Sequence, residues 1–404
     1  MLLLKCIDNA KFYTLLFDES LNKATQQKQL DIHIHFWNPD KNIVETRYLT
    51  SAFLGHSVAD DLLACFYASV KNVDLKKLLQ ISMDGPAVNW KFYNNIQEDL
   101  LKEHGVQCNA IGSCGLHILN NAFYKGESET EWLIGSILSS IFYLFKDSPT
   151  RKEDFINQST ENKLPLKFCN HRWLENAPAA ERAILLWNDL KSYVKNVGKF
   201  RKVKCKSFLT LQEAIKDKLI LVKLNFFLNV SELVSPFLKL YQADRPLLPF
   251  FAADIQDLVL HSVQLYNILK PESIENLNSL EKLCHFNFCD EKNYVSLTKI
   301  SVGFKGDQIL KQLASKVISD RDHINIKKDC RKFITKMLET LLEKCPINYS
   351  VVRNVACINP KLMSENKSKC VLKMRNILNY LSKKKKIEEK DCDKIKLQFA
   401  SCID

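Results

Sequence analysis

The sequence predicts a mixed α/β core followed by a large all-helical region, so that the chain as a whole is mostly helical. In the first quarter of the chain, apolar and polar residues alternate with a period of two, and helix-like segments separate the later apolar runs. From Glu129 onward, apolar residues instead recur at steps of three and four. The 404 residues exceed what a single hydrophobic core usually supports, so we expect two structural units.

The core is expected to begin with a three-strand meander. The first strand covers about residues 12–17, and the second covers residues 29–37, where apolar side chains occupy the even positions. Turn-forming residues at 38–42 predict that the second strand forms a hairpin with a third strand at about 43–53.

Helices and strands then alternate. A helix at 57–70 precedes a fourth strand that leads into Asp84, and a second helix at 90–104 is stopped by Gly105. Residues 108–111 form a short fifth strand or an extended segment. We therefore divide the chain into a core at 1–126, an all-helical insertion at 127–380 and a basic, charged tail at 381–404.

Two aspartates follow apolar runs that resemble buried strands. Asp18 follows the first strand and Asp84 follows the fourth. Carboxylates at strand ends project into the crevice where open α/β sheets bind ligands, and a pair of them suits hard cations such as Mg²⁺ or Mn²⁺. The alternative is that each is an ordinary turn residue. Three other acids rank lower, because Asp31 lies in mid-strand and Asp60 and Asp61 begin a helix, where the dipole favours acids anyway.

Cys114 and His117 form a Cys-x-x-His pair, which is half of a zinc site. Cys108, Cys169 and His171 could complete it, but the second pair lies about fifty residues away with only one intervening residue. A packed thiol and a hydrogen-bonded imidazole are the alternative. The sequence therefore favours Mg²⁺ or Mn²⁺ over zinc as the cofactor.

Charge and cysteine usage restrict the class of protein. The net charge of +12 is compatible with a polyanionic partner, and we interpret the lysines at 383–386 as a solvated helix end. The 14 cysteines show no compact disulfide pattern, which predicts reduced thiols inside a cell. No stretch reaches the roughly 18 uninterrupted apolar residues that a spanning helix needs, so we expect no membrane partner.

An ordered series of short motifs extends over most of the chain. They are residues 17–22 (FDESLN), 48–55 (YLTSAFLG), 83–90 (MDGPAVNW), 114–117 (CGLH), 148–151 (SPTR), 170–173 (NHRW), 241–246 (YQADRP) and 357–360 (CINP). Each motif is weak alone, but in their order and spacing they resemble the catalytic region of hAT-superfamily transposases, and are most similar to domesticated or decayed copies related to zinc-finger MYM-type proteins.

The resemblance implies an RNase-H-like sheet interrupted by the helical insertion. Asp18 and Asp84 would match the first two acids of a catalytic triad that binds two divalent ions and transfers DNA strands. Cys114 and His117 would lie near the active face, and Arg172 and Trp173 would match an Arg-Trp element that is either close to DNA or structural.

Departures from the family pattern predict a loss of activity. The third acid would be a Glu on a helix after the insertion, and the late acids Glu388 and Glu389 match no motif. Asn359 replaces the usual Asp before Pro360, and we expect material to be missing at one or both ends. The resulting hypothesis is a nuclear, transposase-derived, DNA-associated protein with an incomplete and inactive nuclease core. A nuclear protein-interaction scaffold, with protein partners or self-association and no DNA role, is the alternative.

Overall fold

The computed structural model describes residues 2–55, 58–170, 172–200, 203–243, 245–314 and 317–403. It divides into two compact units. Unit 1 comprises Met1–Ile118, Pro246–Ala252 and Lys344–Asp404, and unit 2 comprises Leu119–Arg245 and Ala253–Glu343. The chain is mostly helical with one small mixed sheet, as the sequence predicts.

The α-helices, in chain order, are α1 (Leu2–Asn9), α2 (Ala59–Val70), α3 (Ala87–His104), α4 (Gly115–Ser128), α5 (Ile134–Phe145), α6 (Pro149–Ile156), α7 (Ala177–Leu185), α8 (Trp187–Phe200), α9 (Lys206–Lys216), α10 (Ile220–Tyr241), α11 (Leu248–Leu265), α12 (Pro271–Leu277), α13 (Leu280–Cys284), α14 (Phe304–Leu313), α15 (Asp320–Lys344), α16 (Ser350–Val355), α17 (Pro360–Glu365), α18 (Lys367–Lys383) and α19 (Glu389–Ile403). Short 3₁₀ helices lie at Leu75–Lys77, Trp173–Asn176, Glu291–Asn293, Leu297–Lys299, Pro346–Asn348 and Ala356–Ile358.

The sheet of unit 1 has the strand order β3-β2-β1-β4. Strands β1 (Tyr13–Asn22), β2 (Gln27–Asn38) and β3 (Ile43–Leu54) form the antiparallel meander, and β4 (Leu78–Ser82) pairs with β1 in parallel. The predicted fifth element is an extended segment rather than a strand: the Asn109 N–H donates to the Leu79 carbonyl oxygen at 2.7 Å. Among the described residues the sheet therefore has four strands.

One face of this sheet is buried because apolar side chains alternate along β1 and β2. On β1 the buried side chains are Tyr13, Leu15 and Phe17. Phe17 packs edge-on against Phe92 of α3 at 5.1 Å between ring centroids, and Phe66 of α2 packs against the same ring at 5.5 Å. Helices α2 and α3 thus cover the apolar face, as expected for amphipathic helices next to a sheet.

The last sixty residues of the chain belong to unit 1 rather than to the helical insertion, in contrast to the predicted boundary at 380. The Ala110 N–H donates to the Tyr380 hydroxyl of α18 at 3.0 Å. The predicted charged tail contains α19, whose Phe399 packs in a small core cluster with Cys357 and Cys370. The interpretation of residues 383–386 as a solvated end is wrong for Lys386, which is buried.

The regular secondary structure of unit 2 is helical in its described residues, apart from isolated β-bridges such as Leu269 with Tyr294, and the unit has an aromatic core. Phe123 and Phe226 each pack edge-on against Phe333 of α15, and Trp132 packs against Phe226. Helix α10 supplies much of this core. It is also long and apolar enough to cross a membrane by length and composition, but 56% of that stretch is buried inside the protein, so it is weak evidence for a membrane span.

Candidate functional site

The sheet register relates the two predicted catalytic acids. In the parallel pairing of β1 with β4, Leu16 is the partner of Ser82. This is the last pair of the β1–β4 register, and Asp18 and Asp84 each follow it by two residues.

The prediction that Asp18 ends its strand is wrong. Strand β1 continues to Asn22, because its polar second half pairs with the start of β2. Asp18 therefore lies in mid-strand, with its side chain exposed, and the following residue of its strand is Glu19. Only Asp84 follows a strand end, two residues after Ser82.

The cross-strand partner of Asp18 is another acid, Asp31 of β2. The Asp31 carboxylate accepts hydrogen bonds from the Ser51 hydroxyl and, at 2.8 Å, from the Gln29 side-chain amide. These bonds, that from Ser51 first, lower the pKa of Asp31 below its usual value. The mid-strand position that lowers the rank of Asp31 in the sequence applies equally to Asp18. The predicted hairpin is the sequence signal that could have placed Asp31 beside Asp18.

Asp84 belongs to a compact three-residue cluster with Cys114 and His117. Their carboxylate oxygen, Sγ and imidazole nitrogen all lie within 4.8 Å of one another. The His117 Nδ1 is 2.9 Å from the Asp84 Oδ1. Asp84 and Cys114 are half-buried and His117 is exposed. Among the described residues, this group contains neither Asp18 nor Asp31.

Local chain geometry builds the cluster. After β4, the segment around Asp84 and Pro86 leads into α3. The Cys114 N–H donates to the Met83 carbonyl oxygen at 3.1 Å, which attaches the second loop to the first. The loops approach so closely that a Cβ at Gly85 would lie 2.8 Å from the Ser113 Oγ. Helix α4 begins directly after Cys114, so His117 lies one turn later on the same side.

The electrostatics of the cluster follow from these contacts. The hydrogen bond to Asp84, and secondly that to Cys114, raise the pKa of His117 to about 10, so the imidazole is a cation at neutral pH. Burial opposes ionisation of the Cys114 thiol, but its hydrogen bonds with His117 outweigh burial and lower the pKa of the thiol. Asp84 therefore faces a positively charged group of the same chain.

Of the other zinc ligands predicted from the sequence, neither Cys108 nor Cys169 belongs to this cluster. Cys108 is fully buried, and burial raises the pKa of its thiol to about 12, which disfavours the thiolate that a metal needs. Cys169 belongs to unit 2, and His171 lies outside the described residues. The third member beside Cys114 and His117 is Asp84, for which the sequence predicts Mg²⁺ or Mn²⁺.

Arg172 and Trp173 have structural explanations within unit 2. The Trp173 ring packs against Phe168 at 5.1 Å, and a Cβ on Gly135 would lie 2.5 Å from it. The exposed Arg172 forms an ion pair with Glu175 at 3.1 Å. Two roles are predicted for Arg172 and Trp173, either close to DNA or structural. The structural role accounts for the contacts of Trp173.

The late acids Glu388 and Glu389 are exposed. The Glu388 carboxylate forms an ion pair with Lys390 at 2.5 Å. Both are surface residues. Neither belongs to the cluster around Asp84 in the described part of the chain.

Comparison of the chain with models of known protein families and with curated protein sequences gave no match. The functional argument therefore rests on the residues and geometry described above.

Proposed function

We propose that this chain is a transposase-derived, DNA-associated protein of the hAT type, whose RNase-H-like core carries an incomplete and inactive two-metal nuclease site. The observation that supports the proposal most is that Asp18 and Asp84 each follow, by two residues, the last pair of the parallel β1–β4 register, beside an antiparallel meander. Two carboxylates in that relationship suit cations that bridge to phosphate oxygens.

Inactivity follows from what surrounds the two acids. Asp84 is paired with the His117 cation, so Mg²⁺ or Mn²⁺ would have to displace a positive charge before it could bind there. The late acids Glu388 and Glu389, which would be needed to complete a triad, are surface residues, and Glu388 forms an ion pair with Lys390. Misplaced catalytic groups lose orders of magnitude in rate, even when their chemistry is retained.

Association with DNA is supported by charge. The chain carries 58 Lys and Arg against 46 Asp and Glu. Basic proteins of this kind bind the phosphate backbone through counterion release, which makes the affinity fall steeply with salt. Nuclear localisation is part of the same proposal, since chromosomal DNA is the partner.

A salt titration tests the DNA association. The full chain is titrated with linear duplex and with hairpin DNA over a range of salt concentrations. We expect dissociation constants in the range of about 10⁻⁴–10⁻⁶ M near physiological salt, weakening as salt rises. Affinity no better than about 1 mM at low salt would end the DNA role.

A cleavage assay tests inactivity separately. With Mg²⁺ or Mn²⁺, wild-type protein should cleave DNA no faster than the Asp18→Asn and Asp84→Asn variants do. Asp60→Asn is the matched control, because it removes an exposed acid from the start of α2. Cleavage that is lost in the first two variants and retained in the control would show that the two-metal site is active.

A protein-interaction scaffold without a DNA role is the second candidate. It is favoured by exposed apolar side chains on the helical unit 2, which include Leu133, Tyr143 and Leu209. Light scattering after size exclusion, combined with pull-down, distinguishes the two candidates. A monodisperse monomer that captures no protein would count against the scaffold.

A further inference from the structure

The proposed function uses Asp84, gives His117 only the role of a charge that opposes Mg²⁺ or Mn²⁺, and leaves Cys114 without a role. The geometry points to a site for one borderline-soft divalent transition metal, with Asp84, Cys114 and His117 as ligands, zinc as the ion and water at the fourth position. This inference does not depend on the transposase proposal, since it rests on three side chains of unit 1 alone.

The donor set selects the class of metal. Zinc in proteins is bound by Cys sulfur, His nitrogen and carboxylate oxygen, and sites with three protein ligands keep one position for water. Mg²⁺ and Ca²⁺ take oxygen ligands, so the Cys114 sulfur would not contribute to their binding. The cluster therefore suits zinc better than the hard cations expected for a nuclease.

The distances also suit a single ion. Zinc bonds of about 2.0–2.3 Å place two tetrahedral ligand atoms about 3.3–3.8 Å apart. The three ligand atoms here lie within 4.8 Å of one another, and His117 Nδ1 and Asp84 Oδ1 are 2.9 Å apart. The three ligand atoms are therefore close enough to one another to be shared by a single ion.

The backbone holds the three ligands in place independently of any ion. The Cys114 N–H to Met83 carbonyl bond and the close approach of Gly85 to Ser113 join the two loops. The Asn89 side-chain amide donates to the Asp84 carbonyl oxygen at 3.3 Å. A site whose ligands are already assembled loses little conformational entropy on binding.

Binding would exchange protons for the ion. The carboxylate binds as it is, whereas the imidazole and the thiol must each be deprotonated before they can serve as ligands. The exposed side of His117 provides access from solvent. An ion at this site would also occupy Asp84, which would leave Asp18 without its partner acid.

Cobalt(II) binding to the full chain tests the site. Protein freed of metal with a chelator and kept reduced is titrated with Co²⁺, followed by Zn²⁺. We expect one equivalent of Co²⁺ to produce a sulfur-to-cobalt charge-transfer band and tetrahedral visible bands, which Zn²⁺ removes and excess Mg²⁺ does not. Because loss of even an outer-shell partner costs about 10–100-fold in metal affinity, Cys114→Ser, His117→Gln and Asp84→Asn should each weaken binding by at least about 100-fold.

Matched controls separate this site from the other thiols. Cys402→Ser removes an exposed thiol of α19, and His104→Gln removes an imidazole at the end of α3. Both should bind Co²⁺ as the wild type does. Zinc should also slow alkylation of Cys114 at least several-fold, and leave alkylation of the exposed Cys289 unchanged, when both are followed by peptide mass spectrometry.

Two results would overturn the site. The first is a charge-transfer band that survives in Cys114→Ser, and the second is wild-type binding no tighter than that of a Cys114→Ser, His117→Gln double variant. Circular dichroism of each variant confirms that the fold is retained.

Discussion

The Lys386 ammonium donates a hydrogen bond to the backbone carbonyl oxygen of Leu78 at 2.7 Å, across 308 positions of sequence. Only 4% of Lys386 is exposed, and its Nζ also lies 3.4 Å from the Lys76 carbonyl oxygen. Burial lowers the pKa of this lysine. A buried charge is tolerated only when it has partners, and here the two backbone carbonyl oxygens are those partners. The contact therefore connects the segment just after α18 to the first residue of β4.

Lys386→Ala should therefore destabilise the start of β4. The substitution leaves two carbonyl groups without their donor, and an unsatisfied buried group costs about 1–3 kcal/mol. Hydrogen exchange followed by mass spectrometry should show faster exchange of peptides that cover residues 78–82. Lys383→Ala is the control, because Lys383 is exposed in the same helix end. Equal exchange in the two variants would contradict the role of this contact.

The same contact predicts a pH dependence. The folded state holds the pKa of Lys386 below the ordinary value of 10.5, which applies in the unfolded chain. At a pH between the folded and the unfolded pKa, the unfolded chain therefore binds more protons than the folded protein does. The stability of the wild type relative to Lys386→Ala should therefore rise as the pH rises through that window. Urea unfolding of both proteins at pH 7 to 10 measures the difference, and a decrease with pH would contradict the assignment.

Gly126→Ala should destabilise unit 2. A Cβ at Gly126 of α4 would lie 2.6 Å from the Phe333 carbonyl oxygen and 3.0 Å from the Met337 Cβ, so α4 and α15 would have to separate. Overpacking of this kind costs about 1–3 kcal/mol. Gly55→Ala is the control, since it meets nothing within 4 Å and should be neutral or stabilising by up to about 1 kcal/mol. Urea unfolding followed by tryptophan fluorescence compares the two, and equal midpoints would refute the close helix approach.

The first two strands could be predicted because burial imposes a period of two on their side chains, and the fourth could be predicted because it is a short apolar run. The end of β1 could not be predicted in this way. Residues 18–22 are mostly exposed and belong to the strand because their backbones pair with residues 27–31. A polar hairpin end is held by ladder hydrogen bonds, and these leave little signal in hydrophobic periodicity.

The candidate site was predicted in pieces. Cys114 and His117 are predicted as a pair because Cys-x-x-His is half of a zinc site, and Asp84 is predicted because it follows a strand. Their convergence depends on the Cys114–Met83 bond and on the close approach at Gly85, which join segments about thirty residues apart. The buried position of Lys386 left no sequence signal, since runs of lysine are usually solvated.

Asp18→Asn should stabilise unit 1. Asp18 and Asp31 are direct cross-strand partners, and like charges in that position destabilise a sheet by about 0.2–1 kcal/mol. The gain should shrink in high salt, which screens exposed charges. Urea unfolding at low and high salt measures both effects. Glu19→Gln is the control, because it removes the neighbouring carboxylate, which has a favourable partner in Lys28 at 2.6 Å. If Asp18→Asn lowers stability, the two acids do not repel.

Asp84→Asn should lower the pKa of His117 in metal-free protein. In the wild type, the hydrogen bond to Asp84, and to a smaller extent that to Cys114, raises the pKa of His117 to about 10. The imidazole should therefore stay protonated at pH 8 in an NMR titration of histidine-labelled protein. In Asp84→Asn its pKa should fall toward the ordinary 6.5, and in Cys114→Ser it should fall by less. An unchanged pKa in Asp84→Asn would show that the pair does not form in solution.

The raised pKa of His117 determines how the contribution of the Asp84–His117 pair to stability changes with pH. The pair contributes stability that is fully present below pH 6.5 and is lost as the pH rises through about 10. Because 62% of the His117 side chain is exposed, solvent screening keeps this contribution small. The titration, rather than an unfolding curve, is therefore the measurement that can detect the Asp84–His117 pair, and it detects it before any metal is added.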